Sequence, residues 1–200
     1  SGNVTISTNG HSQPAELHAD IPADSVVRVG GSSTATLKLA DGTTLECLEN
    51  TEIELPLGPD PDIRCRSGRV TAVVKLRGRA GAFLLDTPQS RIQVTGTRFD
   101  VDVTELRTRL DLHAGKVRLT QSVDDQALDL QPGQFAVARS FAEPLQALPA
   151  GTTEPLVLLP VADAFIFEMQ QDRNFGQDPK LQIGQGNATY LKFDIPTGTS

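Results

Sequence analysis

Apolar and polar residues alternate in short runs along most of the chain up to about residue 140, and the helical period is nearly absent. Successive side chains of a β-strand point to opposite faces, so a period of two indicates strands with one buried face. The runs are TATLKLA (34–40), TTLECLE (43–49), TEIEL (51–55), DIRCR (62–66), RVTAVVKL (69–76), AFLLD (82–86), RIQV (91–94), RFDVDV (98–103), TRLDL (108–112), KVRLT (116–120), ALDL (127–130) and QFAVA (134–138). Their spacing of roughly ten residues is typical of sandwiches, barrels and rolls. The alternation predicts an all-β fold, an antiparallel β-sandwich or β-roll of many short strands with hairpin turns, followed by a partial second β module.

The phase of the alternation slips once, within TPQSRIQVTGTRFDVDV (87–103). Apolar residues fall on even numbers over 92–94 and on odd numbers over 99–103, with Gly96 and Thr97 between them. A slip of one residue moves a strand's apolar side chains to the other face unless an extra residue is accommodated. We therefore predict a structural β-bulge or a sharp corner at Gly96 and Thr97, because glycine accepts the backbone geometry that a bulge requires.

Glycines also stand at the joints between runs, in ADG (40–42), SG (67–68), HAG (113–115) and PG (132–133). Turns commonly need a residue with positive φ, which glycine adopts without steric cost. The segment PLGPDPD (56–62) is rich in proline, which cannot donate to a strand ladder, and is predicted to be a loop.

The overall charge argues against nucleic acid as a partner. The net charge is −7 and the isoelectric point is about 4.9, whereas nucleic-acid-binding surfaces are basic. No apolar run approaches the length of a membrane-spanning helix, so the sequence predicts no membrane span in this chain.

No group of residues stands out as catalytic or metal-binding, and we predict a non-enzyme without a cofactor or metal. His11, His18 and His113 have no second ligand at metal-site spacing. The pairs Asp60/Asp62 and Asp124/Asp125 lie in predicted loops, where aspartate is a common turn residue. Oxygen-bearing side chains near C-terminal strand ends suit calcium or, more simply, strand caps: Asp163, Asn174, Asp178 and Asp194.

The two cysteines are predicted to face the core. Cys47 and Cys65 are in phase with Leu45 and Ile63, the apolar positions of their runs. If the two strands are neighbours, a disulfide between them is feasible. The alternative is two buried free thiols that pack as small hydrophobic side chains.

The ordered set of motifs over about residues 25–139 resembles the FecR domain. The matching segments are ATLKLADGTTLECLENTEIEL, SGRVTAVV, FLLDTPQSRIQVTGTRFDVDV, LDLHAGKVRL and LQPGQFAVA. The resemblance implies an extracytoplasmic β-rich sensor or scaffold, which in its best-known setting relays signals from an outer-membrane transporter to a cytoplasmic anti-sigma region. That location favours the Cys47–Cys65 disulfide. It also implies localisation in the periplasm or at the cell surface, with membrane tethering by segments absent from this chain.

The end of the chain resembles the start of a DNRLRE-type β-sandwich module, a family often treated as carbohydrate-binding. The matching segments are ADAFIF, RNFGQDPKLQIG and TYLKFDIP. Such modules are longer than this piece, so we expect the module to be truncated. The predicted organisation is a polar N-terminal segment (1–24), a FecR-like β domain (25–140), a Pro-rich linker (141–160) and the truncated module (161–200).

These observations predict a non-catalytic extracytoplasmic domain that works by protein–protein contact, as a signalling or cell-envelope scaffold with an envelope protein as partner. Exposed strand edges and loops are the predicted contact surfaces. The candidates are the PLGPDPD loop (56–62) and the apolar run Leu156 to Leu159. The alternative is a cell-surface adhesive protein that binds polysaccharide through its C-terminal module.

Overall fold

The fold is all-β, as the alternation predicts. The computed structural model describes residues 2–56, 63–75, 81–154, 160–167 and 187–193, and within these ranges it contains strands and no helix. The strands are β1 (Val4–Thr8), β2 (His11–Pro14), β3 (Ser25–Val29), β4 (Ala35–Lys38), β5 (Thr44–Cys47), β6 (Thr51–Leu55), β7 (Ile63–Val74), β8 (Phe83–Asp86), β9 (Ser90–Val94), β10 (Thr97–Val103), β11 (Arg107–Ala114), β12 (Val117–Gln121), β13 (Ala127–Leu130), β14 (Gln134–Arg139), β15 (Leu148–Pro149), β16 (Pro160–Phe167) and β17 (Asn187–Phe193).

The first fifteen strands form two sheets that share β7. The first sheet has the order β2-β1-β3-β6-β7-β8-β9-β12-β13, and the second has the order β4-β5-β7-β10-β11-β14-β15. All neighbours are antiparallel except β7 and β8, which pair in parallel over two residues. The apolar faces of both sheets meet in one hydrophobic core. Its largest fully buried side chains are Phe83, Phe99, Leu45, Ile53, Ile63, Leu85, Ile92, Leu110, Leu112 and Leu119.

Strand β7 is one continuous strand where the sequence predicts two strands, at 62–66 and 69–76, joined by a turn at 67–68. Residues 64–67 pair with β6 in the first sheet, and residues 68–74 pair with β10 in the second. Gly68 has φ +92°, and a Cβ at this position would lie 2.5 Å from the Cα of Thr51. The glycine therefore serves a close backbone crossing within one strand, where the sequence pattern predicts a turn.

The phase slip coincides with a change of sheet. Strand β9 ends at Val94 in the first sheet, and β10 begins at Thr97 in the second. Gly96, between them, has φ 150°, and the Thr97 hydroxyl donates a hydrogen bond to the Lys116 carbonyl at 3.1 Å. The apolar residues on either side of this corner can therefore enter one core from different sheets.

The polar N-terminal segment contains a β-hairpin. Strands β1 and β2 pair across Asn9 and Gly10, which both have positive φ, and β1 also pairs with β3. Positive φ at both central residues is the requirement of a type I′ hairpin turn, for which Asn-Gly is strongly preferred.

The chain divides into two compact units, Ser1–Thr152 and Thr153–Ser200. In the second unit β16 and β17 form an antiparallel pair with an irregularity between Pro160 and Ala162. The RNFGQDPKLQIG segment lies outside the described residues. No helix in the described ranges is long and apolar enough to cross a membrane.

Candidate contact surface

The two contact segments predicted from sequence lie almost entirely outside the described residues. Of the PLGPDPD loop only Pro56 is described, and the run from Leu156 to Leu159 is not. Asp60, Asp62, Asn174, Asp178 and Asp194 also lie outside, whereas Asp163 is placed on β16.

The histidines and Asp124, considered above as possible metal ligands or catalytic groups, are either exposed or hydrogen-bonded to neighbouring residues. His11 and His18 are exposed, and His113 Nε2 lies 2.8 Å from Asp100 Oδ2. Asp124 accepts hydrogen bonds from the backbone and side chain of Gln126, as a turn residue does. Within the described ranges, no three His, Cys, Asp or Glu residues are placed to hold a metal ion.

The predicted disulfide is not formed in this structure, where Cys47 and Cys65 are buried free thiols. Cys47 belongs to β5 in the second sheet, whereas Cys65 lies on the part of β7 that pairs with β6 in the first. Burial raises the pKa of each thiol to about 12, and the charge of Cys47 adds to the rise at Cys65. The disulfide stays a prediction for the oxidised protein.

Three hairpin loops are tied together at one end of the first unit. They are residues 87–89, 104–106 and 122–126, and we call this region the loop end. The Gln89 side chain is 3% exposed and donates to the carbonyls of Thr104 (3.2 Å) and Glu105 (2.9 Å). The Gln89 carbonyl accepts from the Ser122 amide at 2.9 Å. One residue thus bonds to both of the other loops.

A buried hydroxyl network extends from Gln89 into the strands. Thr108 Oγ1 lies 2.8 Å from both Gln89 Oε1 and Thr87 Oγ1. The Ser90 amide donates to Thr87 Oγ1 at 2.9 Å. Nothing in the strand periodicity marks Gln89, since it follows Pro88 outside the alternating run, and sequence reasoning missed it.

Gln121 links the same region to the segment after β14. Its side chain is 1% exposed, and Nε2 lies 3.4 Å from both Asp124 Oδ1 and the Glu143 carbonyl. The Leu145 amide donates to Gln126 Oε1 at 3.1 Å. Asp124 and Gln126 of loop 122–126 are thus bonded to Gln121 and to the segment after β14.

The fixed loops carry exposed apolar side chains. Leu106 is 54% exposed, Val123 is 47% exposed, and Pro88 is also exposed. Ordering flexible side chains and loops costs free energy on binding, so apolar groups held on a rigid frame are favourable contact points.

A cleft of about 710 Å³ lies beside the loop end on the outer face of the first sheet. Its lining includes three arginines together with Asp86, Thr87, Pro88, Ser90, Gln121 and Asp125. Arg91 holds Asp86 through two hydrogen bonds of 2.7 and 2.8 Å. Arg66 holds Glu54 at 2.8 and 3.0 Å, and this hydrogen bond raises the pKa of Arg66. Arg64 is 3.7 Å from the same carboxylate.

We call this cleft the arginine cleft. Across the strands of the first sheet, acidic and basic side chains alternate beside it. Glu54, Arg64, Asp86 and Arg91 are register neighbours on four consecutive strands. Such a face suits hydrogen bonding with a polar partner surface, since arginines are enriched at protein interfaces.

Strand β13 forms one edge of the first sheet and directly follows the loop that carries Val123. In the part of the chain that is described, β13 pairs with β12 alone. Loops, cleft and strand edge therefore form one continuous region.

A model of the FecR protein family matches residues 25–118, from β3 into β12. The fold is similar to that of a candidate anti-sigma factor from Parabacteroides distasonis ATCC 8503, in crystal structures at 1.65 and 2.50 Å resolution. Each comparison has a TM-score of 0.55 and 17% identity, and covers 62% of this chain and 59% of that chain. The present chain thus spans less than two thirds of that protein. No curated protein sequence matches the chain.

Proposed function

We propose that the first unit is a non-catalytic, extracytoplasmic signalling or envelope-scaffold domain that works by protein–protein contact. The observation that carries the proposal is the FecR match over residues 25–118, which covers the centre of the shared core. The similar fold of a candidate anti-sigma factor supports a signalling role. In this proposal, segments outside the present chain tether it to a membrane.

The loop end is the proposed contact surface. It combines apolar side chains on a fixed frame with the adjacent arginines, as the buried centre and polar rim of a protein interface do. Fully burying a side chain of this size contributes about 1.5–3 kcal/mol, and because Leu106 and Val123 are already about half-buried, burying the rest of each contributes roughly 1 kcal/mol. Together they change the affinity of a complex by roughly thirtyfold.

The test is partner capture from an envelope extract by the whole chain. We expect the double variant Leu106→Ser and Val123→Ser to lower the recovery of a specific protein by about tenfold or more. Val73→Ser is the matched control, since Val73 is 45% exposed and pairs with Arg98, at the other end of β10 from loop 104–106. Equal recovery with the wild type and the double variant would show that the loop end is not part of the contact surface.

The second candidate function is adhesion through the C-terminal unit. It is favoured by the DNRLRE-like motifs in a segment that forms a compact unit of its own from Thr153. This candidate predicts that the whole chain co-sediments with an insoluble polysaccharide, and that soluble polysaccharide competes. Co-sedimentation unchanged by the loop-end double variant would assign that binding to a site other than the loop end.

A further inference from the structure

We infer that the free edge of β13 accepts an extended partner segment in which apolar residues alternate with lysine or arginine. The inference rests on the proposed function, because it specifies how a partner at the loop end would continue onto the domain. An added strand gains backbone hydrogen bonds directly, and its side chains provide the specificity.

Four strands of the first unit have a ladder neighbour on one side only in the described ranges: β2, β4, β13 and β15. Natural edges are protected by proline, by charged side chains, especially lysine, or by being very short. Strand β2 contains Pro14, β15 has two residues with Pro149, and β4 ends with the exposed Lys38. Strand β13, with the sequence ALDL, has neither proline nor lysine, and its one charged side chain, Asp129, is paired with Arg118.

The hydrogen-bond register shows which groups of β13 face outward. The Gln121 amide donates to the Gln126 carbonyl at 2.8 Å, so these residues form a hydrogen-bonded pair. Hydrogen-bonded and non-hydrogen-bonded pairs alternate in an antiparallel ladder. Leu128 and Leu130 therefore bond to β12, and the backbone groups of Ala127 and Asp129 point away from it.

The surroundings of this edge specify the side chains of the partner. On the outer face the exposed groups are Asp129, Asp124 and Asp125, with Arg118 Nη1 at 3.1 Å from Asp129. Asp125 also lines the cleft that holds three arginines, so Asp129 on the strand and Asp124 in the loop before it are the carboxylates that favour lysine or arginine on that face of an added strand. On the inner face Leu128 is half-buried, so an added strand would gain by placing apolar residues there.

The edge also continues the proposed contact surface. Val123 belongs to the loop that joins β12 to β13, and Asp125 lines the arginine cleft. A segment paired with β13 would run toward the exposed apolar loops.

The probe is a labelled peptide of about eight residues that alternates valine and lysine, titrated with the whole chain by fluorescence anisotropy. We expect saturable binding that Ala127→Pro weakens about tenfold, as the loss of one outward amide donor implies. Proline at Ala127 spares the ladder to β12, because that amide does not bond to it. Thermal unfolding of the variant checks its fold.

Thr36→Pro is the matched control on the other long edge. The Leu39 amide donates to the Thr43 carbonyl, so the amide of Thr36 on β4 also faces away from its ladder. We expect Thr36→Pro to leave peptide affinity unchanged. A peptide N-methylated at alternate residues should not bind, and one with glutamate in place of lysine should bind at least tenfold more weakly.

Several outcomes would overturn the inference. They are loss of binding in Thr36→Pro alone, no binding of the alternating peptide, and equal binding of the glutamate peptide. Self-association that Ala127→Pro abolishes would assign the edge to a second copy. Partner capture that needs Leu106 and Val123 but survives Ala127→Pro would leave the proposed function standing and refute the strand pairing.

Discussion

Gln89 shows how one buried amide can organise an exposed surface. Its side chain satisfies two loop carbonyls and one hydroxyl, and its own carbonyl holds the third loop. We expect Gln89→Ala to lower the free energy of unfolding by about 2 kcal/mol, because it leaves buried polar groups without partners. Urea denaturation measures this change. Gln93→Ala, at an exposed position of β9, is the control, and an equal effect of both substitutions would contradict the assigned role.

The buried thiols predict a loss of stability in alkali. Burial raises the pKa of Cys47 and Cys65 to about 12 in the folded chain, from an ordinary value of 9.0. Their contribution is therefore fully present below pH 9, and it is lost between about pH 9 and 12, as only the unfolded chain releases these protons. From pH 8 to 10 we expect a loss of about 3 kcal/mol in the reduced protein.

Denaturation of the double variant Cys47→Ala and Cys65→Ala over the same pH range is the control for other titrating groups. The variant should lack this part of the pH dependence. Identical slopes for the two proteins would show that the thiols ionise as easily in the folded chain as in the unfolded one.

Among the elements, the corner between β9 and β10 requires a backbone conformation that few residue types can adopt. Gly96 has φ 150°, a region that residues with a Cβ rarely adopt. We expect Gly96→Val to destabilise the domain by about 1–3 kcal/mol. Thr95→Val introduces the same side chain one residue earlier, at an exposed position, and should change stability by less than about 0.5 kcal/mol. Similar values for the two variants would exclude a special requirement at Gly96.

Element bounds follow from the sequence where alternation is the dominant signal. The predicted and observed bounds coincide for TEIEL (51–55) and ALDL (127–130). Strand β7 was predicted as two strands, because a glycine at a backbone crossing and a glycine in a turn share the same positive φ. The hairpin of β1 and β2 has few apolar residues, and Asn9-Gly10 was the local signal that could have identified it.

At the scale of the molecule, fold class follows from local patterns but the contact surface does not. The loop end is assembled from three loops that are distant in sequence, and its central residue lies outside every periodic run. The free edge of β13 is likewise a property of sheet order. Sequence reasoning supplied the strand and its alternation, but not that β12 is its one ladder neighbour among the described residues.

The shared strand predicts that the two sheets lose their structure together. Cys47 reports on the second sheet and Cys65 on the first, and β7 belongs to both. In reduced protein we expect the two thiols to become reactive toward an alkylating reagent at the same urea concentration, as in a two-state transition. Peptide mapping of the alkylated chain distinguishes them. Separate midpoints would show that each sheet can open alone.

The position of β7 has a consequence for the order of events during synthesis. Its neighbours β5 and β6 leave the ribosome before it, whereas β8 and β10 leave after it. Neither sheet can therefore be completed before the middle of the chain has emerged. Each sheet also contains strands that are synthesised after β7. Pairings of this kind join residues far apart along the chain, and domains rich in them gain their native structure slowly. During that interval the apolar residues of the earliest strands remain uncovered.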